Sequence, residues 1–267
     1  MSAPSIAQAL APAHWPTLVL VSARMVGLML AAPLWSFAGT PKSVRGALVI
    51  VLTVTVLPTV REASLPPDYI GLVLPIASEL ILGLAIGVVG AAFMAGMGLA
   101  GEVATLQMGL NLGPSLSPMS DASVTGLGDL KTMLATVIYA TLGGHLVLLR
   151  GVAESLQAIP PGSALDFSEG GRAVVALGAT VFTVAVRAAA PVIAALLLAN
   201  LGLAILSRAV PQLNAMAVGF PITIGLGFLV FGASLPYLGP FVGRWAGGVH
   251  GSVGGLIQAF ALPAGGH

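Results

Sequence analysis

Between Val174 and Leu206 the chain runs 33 residues with a single charged side chain, Arg187. Five further runs resemble it: Thr17–Trp35, Gly46–Val60, Gly71–Gly101, Leu130–Leu149 and Phe220–Val242. A bilayer span needs about 20 predominantly apolar residues, so this pattern is membrane-sized rather than core-sized. In lipid every backbone N–H and C=O must be satisfied within the fold, which leaves helices as the solution for such runs. Only 7% of the residues are charged and 57% are hydrophobic. A soluble domain carries about 25% charged residues, so there is too little polar side chain to cover a water-facing surface. The sequence predicts an all-α integral membrane protein of about six hydrophobic helical segments, forming one membrane-embedded region over residues 1–267 with no separate soluble domain.

Several runs do not fit a simple crossing. Gly71–Gly101 and Val174–Leu206 correspond to helices of about 45–50 Å, against a hydrocarbon core of about 30 Å. Tilt, a break or extension beyond the membrane must absorb the excess. Pro191 removes a backbone donor inside the fifth run and predicts a kink near Val186–Arg187. Gly46–Val60 is short and closed by Pro58. The first sixteen residues hold no Lys or Arg, and the run after them is longer than a signal peptide needs, which points to a retained segment. Glu102–Lys131, Arg150–Arg172 and Ser207–Gly219 carry the Gly, Pro, Ser and Asp of connecting loops, with Pro160-Pro161-Gly162 as the turn of the second. With six spans, Lys42, Arg45, Lys131 and Arg208 fall on one side and Arg61, Arg150, Arg172 and Arg244 on the other. The positive-inside rule therefore ties and does not set an orientation.

Most kinds of chemistry are excluded. The net charge of +1 gives no field for nucleic acid. The absence of cysteine removes disulfides, thiolate catalysis and Cys-based metal sites. His14, His145, His250 and His267 lack the i, i+4 spacing of two ligands on one helix face, so no metal or other cofactor is expected. No Gly-x-x-x-x-Gly-Lys-Ser/Thr loop is present to hold a nucleotide. Ser115 or Ser117 with His145 could be assembled into a hydrolytic pair, but no elbow motif or third orienting group accompanies them. A lone His in an apolar helix is usually a hydrogen-bonded structural residue. No catalytic residue is assigned.

Three charges lie within apolar runs: Arg24, Glu79 and Arg187. Such residues face a partner or a water-filled path, and structural pairing, within the chain or to another protein, is the preferred reading. Glycine, at 35 residues, is about twice its usual share of about 7%. Gly83, Gly87, Gly90, Gly96, Gly98 and Gly101 form small-residue stripes suited to close helix packing. A polar elbow interrupts the apolar sequence at Arg208-Ala209-Val210-Pro211-Gln212-Leu213-Asn214, followed by Gly219-Phe220-Pro221. Its side chains can cap freed carbonyls here or in a neighbour. A second cluster is Gly101-Glu102, then Leu106-Gln107-Met108-Gly109-Leu110-Asn111.

On those two clusters the chain resembles the FliR family, the flagellar branch of a family shared with the membrane export apparatus of type III secretion systems. The resemblance runs from about Arg24 to Pro240 and also includes Pro33, Pro41-Lys42, Arg45, Pro58, Gly144-His145, Ile159-Pro160 and Ala190-Pro191. It implies a non-enzymatic subunit of the export gate in the flagellar basal body, packed with FliP-like and FliQ-like membrane subunits and an FlhB-like switch protein in a helical assembly. Exported unfolded polypeptide would pass through the centre of that assembly. The family's helices form hairpins partly lifted from the bilayer, which would account for the overlong runs. The resemblance also implies a pore plug at Leu112, Leu116 and Met119, where Ser117-Pro118 replaces the family's usual Asp-Pro. Subunit contacts or the helix elbow are expected at Arg208, Pro211, Gln212, Asn214, Gly219 and Pro221. The competing class is a secondary transporter with broken helices, for which Pro191, Arg187 and Asn200 on one helix speak, and against which the missing inverted repeat and the scarcity of buried acids count.

Overall fold

A computed structural model describes residues 15–36, 40–61, 63, 69–110, 126–210 and 215–262. All six apolar runs are helical. Among the described residues there are eight α-helices: α1 Trp15–Ala31, α2 Lys42–Val56, α3 Val73–Gln107, α4 Gly126–Thr141, α5 Gly144–Ala158, α6 Phe167–Ala209, α7 Ala215–Ser234 and α8 Leu238–Phe260. Extended pairing among those residues is confined to the isolated bridge between Leu165 and Ala261. Four stretches are long and apolar enough to cross a membrane: Lys42–Thr59, Val73–Gln107, Phe167–Ala209 and Ala217–Phe260. A fifth is added if α4 and α5 count as one broken span.

The expected loops are shorter than their composition suggested. Glu102–Gln107 and Gly126–Lys131 are helical ends of α3 and α4, not loop. Arg150–Ala158 completes α5, so the second connection shrinks to the turn around Pro160-Pro161-Gly162. Ser207–Ala209 belongs to α6 and Ala215–Gly219 to α7, so Gly219 and Pro221 are helix-interior positions and not the end of an elbow. Where one face is being buried, as at Thr105 on α3, Lys131 on α4 and Ser155 on α5, scattered Gly, Ser and charged residues cost too little helix propensity, at most about 1 kcal/mol each, to end the helix. The fourth run is broken at Leu142-Gly143, where Gly143 takes φ 73°, a left-handed conformation that a Cβ disfavours. The sixth run breaks into a 3₁₀ turn at Leu235–Tyr237 before α8. The helix α6 is assigned continuously through Pro191. Most of α8 lies beyond the last predicted run.

The chain forms two compact units. The first comprises Met1–Ala92, Tyr139–Gly178 and Arg244–His267. Within it α1 packs on α2 and α5 and lies backbone to backbone with the start of α3. A Cβ on Gly27 would stand 2.7 Å from the Leu84 nitrogen, and one on Gly83 would overlap the Arg24 carbonyl. Leu20, Met25, Leu28, Leu82, Ile86, Leu148 and Val152 are fully buried there. The apolar face of α8 (Val249, Val253, Leu256, Ile257 and Phe260) is buried in the same unit, with Val253 against Gly151 and Phe260 against Gly170.

The second unit comprises Phe93–Ile138 and Ala179–Gly243. Its core gathers Ala104, Met108, Leu127, Val192, Leu196 and Phe231. Gly101 and Gly128 meet so closely that a Cβ on Gly101 would lie 2.6 Å from the Gly128 nitrogen. Long stretches of α6 and α7 nevertheless remain exposed, including Phe182, Leu198 and Leu229 at 68%, 67% and 68%.

Candidate functional site

Among the described residues, buried or convergent polar groups are found in both units. In the first unit Arg24 on α1 is fully buried and its Nε donates to Glu79 Oε2 at 2.5 Å. Its Nη1 donates to the Ser155 hydroxyl at 3.0 Å, and its Nη2 to the Ile159 carbonyl at 3.1 Å. The second Glu79 oxygen accepts from the Gly162 amide at 3.0 Å. Gly162 holds φ 83°, which presents that N–H in a turn no β-branched residue would adopt easily. A buried charge is tolerated only when paired and hydrogen-bonded, and here the pair is both. The node ties α1, α3, the end of α5 and the Pro160-Pro161-Gly162 turn together.

Arg187, the third charge in an apolar run, is exposed on α6. A further charge, Lys131, sits in α4 at 1% exposure and not in a loop. Its Nζ donates to the Ala188 carbonyl at 2.7 Å and lies 5.4 Å from the centre of the Phe231 ring. The ammonium thus sits on α6 within one turn of Pro191, where the proline has removed a backbone donor. The sequence signal for this was a lysine flanked by Leu130, Thr132, Met133 and Leu134, a pattern of helix interior.

In the second unit an open groove of about 320 Å³ is lined by Leu106, Gln107, Met108, Gly109, Asn200, Leu203, Gly219, Phe220 and Thr223. It brings together the two sequence clusters singled out above, Leu106–Gly109 from the end of α3 and Gly219-Phe220 from α7. Gly109 adopts φ 75°, and a Cβ there would come to 3.1 Å from the Phe220 ring. Met108 is fully buried beneath the groove, against Gly227. The Thr223 hydroxyl is turned inward onto the Gly219 and Phe220 carbonyls, each at 3.1 Å. That leaves the amides of Gln107 and Asn200 as the polar side chains of an otherwise apolar, uncharged surface.

The other expected positions divide clearly. Gly219 is buried and lines this groove, Pro221 is exposed within α7, and Arg208 is exposed in the last turn of α6. The plug positions Leu112, Leu116 and Met119, with Ser115 and Ser117, lie outside the described residues, as do Pro211, Gln212 and Asn214. His145 stands edge-on to Trp35, with ring centres 6.2 Å apart. Its Nδ1 is buried without a hydrogen-bond partner among the described residues. Among the described residues no three His, Cys, Asp or Glu side chains converge as a metal site would require.

Helices throughout the described residues, several of them of membrane length and apolar, define an all-α integral membrane protein. The family described as "Bacterial export proteins, family 1" matches residues 15–247, and this chain belongs to it. The "Flagellar biosynthetic protein FliR" of Escherichia coli (strain K12) is 30% identical over 228 residues, 85% of this chain and 85% of that protein. The protein of the same name in Bacillus subtilis (strain 168) is 28% identical over 81% of this chain and 85% of its own length. The "Secretion system apparatus protein SsaT" of Salmonella typhimurium is 27% identical over 72% and 76% respectively.

Proposed function

We infer that this chain is a subunit of the flagellar type III protein export gate and helps form the channel through which unfolded flagellar proteins cross the inner membrane. It is a multi-pass inner-membrane protein of the flagellar apparatus. The observation that carries this reading is the family match across residues 15–247, on a chain whose longest helix, α6, and the stretch Ala217–Phe260 remain largely uncovered by its own residues. Exposed apolar helix surface of this extent is the mark of a subunit awaiting lipid and neighbours. Its neighbours are FliP-like and FliQ-like membrane subunits and an FlhB-like switch protein, and its cargo is the exported unfolded polypeptide. The chain contributes walls and seals, not catalysis, and holds no cofactor. Leu112, Leu116 and Met119 form an apolar plug that excludes water and ions by dewetting and yields to a polypeptide.

The test is gentle detergent extraction of the tagged protein from its native membrane, followed by native mass measurement. One copy of this chain with several copies of two other small membrane subunits is the expected result. A monodisperse monomer or homodimer that takes up a small solute in liposomes would replace this reading with the transporter.

A further inference from the structure

The membrane-depth charges can be settled one by one, and one is left over. Arg24 and Glu79 neutralise each other in the first unit. In the second unit Lys131 is buried on the Ala188 carbonyl, and Arg187 is the next residue along α6. Two cations therefore belong to the same turn of α6, Lys131 buried on its backbone and Arg187 on its exposed side, and neither has an ion pair among the described residues. Arg187 has no acidic neighbour one turn away either, since Thr183, Val184, Ala190 and Pro191 occupy those positions. Pro191 also removes the donor that the Arg187 carbonyl would otherwise meet.

Placing the bilayer elsewhere along α6 does not remove the difficulty. Arg187 is the twenty-first of 43 residues, with charge-free stretches on both sides, 173–186 and 188–206. A span of about 20 residues centred near Arg187 leaves a guanidinium in hydrocarbon, at a cost of about 2.5–3.5 kcal/mol or more. A span confined to 188–206 leaves Phe182 and Val186, 68% and 63% exposed, outside the lipid. Protein against this part of α6 would relieve both costs, and protein that covers Arg187 must neutralise it.

We propose that the exposed face of α6 around Arg187 is the docking surface for an apolar helix of another membrane subunit, one that carries an Asp or Glu at the level of Arg187. Phe182, Val186 and Ala190 supply the apolar contact. The exposed Arg187 guanidinium selects the acid and fixes the register of the two helices. The proposal rests on the export-gate reading and names the chemistry of one of its contacts.

The experiment uses the full chain in its native membrane. A photo-crosslinking amino acid replaces Val186, and the adduct is identified by mass spectrometry. Arg187→Glu, Arg187→Lys and Arg187→Ala are then compared for recovery of the intact complex. The expected result is an adduct with a membrane subunit whose crosslinked helix contains Asp or Glu. Arg187→Glu lowers recovery at least tenfold, Arg187→Lys retains it, and changing the partner's acid to Arg restores Arg187→Glu. Because Arg187 is exposed, these changes leave the chain's own core intact, and restoration by the swap separates docking from folding. Adducts with lipid alone, a partner helix without an acid, or full recovery of the Arg187→Glu complex would each overturn the proposal. If no complex is recovered even from the unmodified chain, it is the export-gate reading that has failed.

Discussion

Replacing Glu79 by alanine is the sharpest perturbation of this molecule. Arg24 is fully buried, so the substitution leaves a guanidinium in an apolar interior with only the Ser155 hydroxyl and the Ile159 carbonyl for company. Removing one partner of a buried pair costs about 3–5 kcal/mol. The Gly162 amide loses its acceptor as well, worth about 1–3 kcal/mol if water does not reach it. These terms overlap, and a total of about 4 kcal/mol is the working figure, near a thousandfold in the folded-to-unfolded ratio at 1.4 kcal/mol per decade. The assay is the aggregation temperature and yield of the detergent-extracted complex. Glu79→Gln keeps an acceptor for Gly162 and loses only the charge, so it falls between wild type and Glu79→Ala. Ser155→Ala removes one of three guanidinium contacts and costs about 1.5–3 kcal/mol. The Arg24→Met, Glu79→Leu double variant removes both charges, and buried pairs replaced by apolar residues are often neutral or better, so it should recover most of the loss. A Glu79→Ala protein within about 1 kcal/mol of wild type, or a double variant as poor as the single one, would refute the reasoning that the pair is needed because each charge traps the other.

Other perturbations test packing and passage. Gly83→Val forces a branched side chain into the Arg24 backbone and should cost more than the usual 1–3 kcal/mol of overpacking, read as loss of assembled complex. Met108→Ala empties a fully buried site for about 2–5 kcal/mol. Gly227→Ala alone pushes a methyl to 2.5 Å from Met108 Cγ, so the double variant should cost less than the two separate losses added. Shortening Leu112–Met119 should raise ion conductance through the closed gate in planar bilayers, and an unchanged conductance would remove the plug assignment.

How much of this was legible beforehand differs from residue to residue. Arg24 and Glu79 stood out as charges within apolar runs because lipid makes them costly wherever they are. Their union did not, since it spans 55 positions and is completed by Ser155, Ile159 and Gly162, which read as loop. Leu106-Gln107-Met108-Gly109 and Gly219-Phe220 stood out as interruptions of apolar sequence, but nothing in either cluster said that they line one groove. Lys131 reads as a loop charge in the sequence because Gly126, Gly128 and Asp129 precede it. Most of α8 gives no apolar run in the sequence because Arg244, Gly247, Gly248, His250, Gly251 and Ser252 dilute its hydropathy.

What the sequence determined by itself is the solvent and the secondary structure. Six charge-poor apolar runs can satisfy their backbones only as helices, and that follows from local composition without knowledge of any contact. What the tertiary structure alone decided is where helices end and which charges are neutralised. A helix continues past Gly or Ser when its far face is being buried, as Val249, Val253 and Phe260 do for α8. A charge is acceptable or costly according to what lies within about 3 Å, so Arg24 is settled inside the chain while Arg187, alike in sequence context, is left for a neighbour.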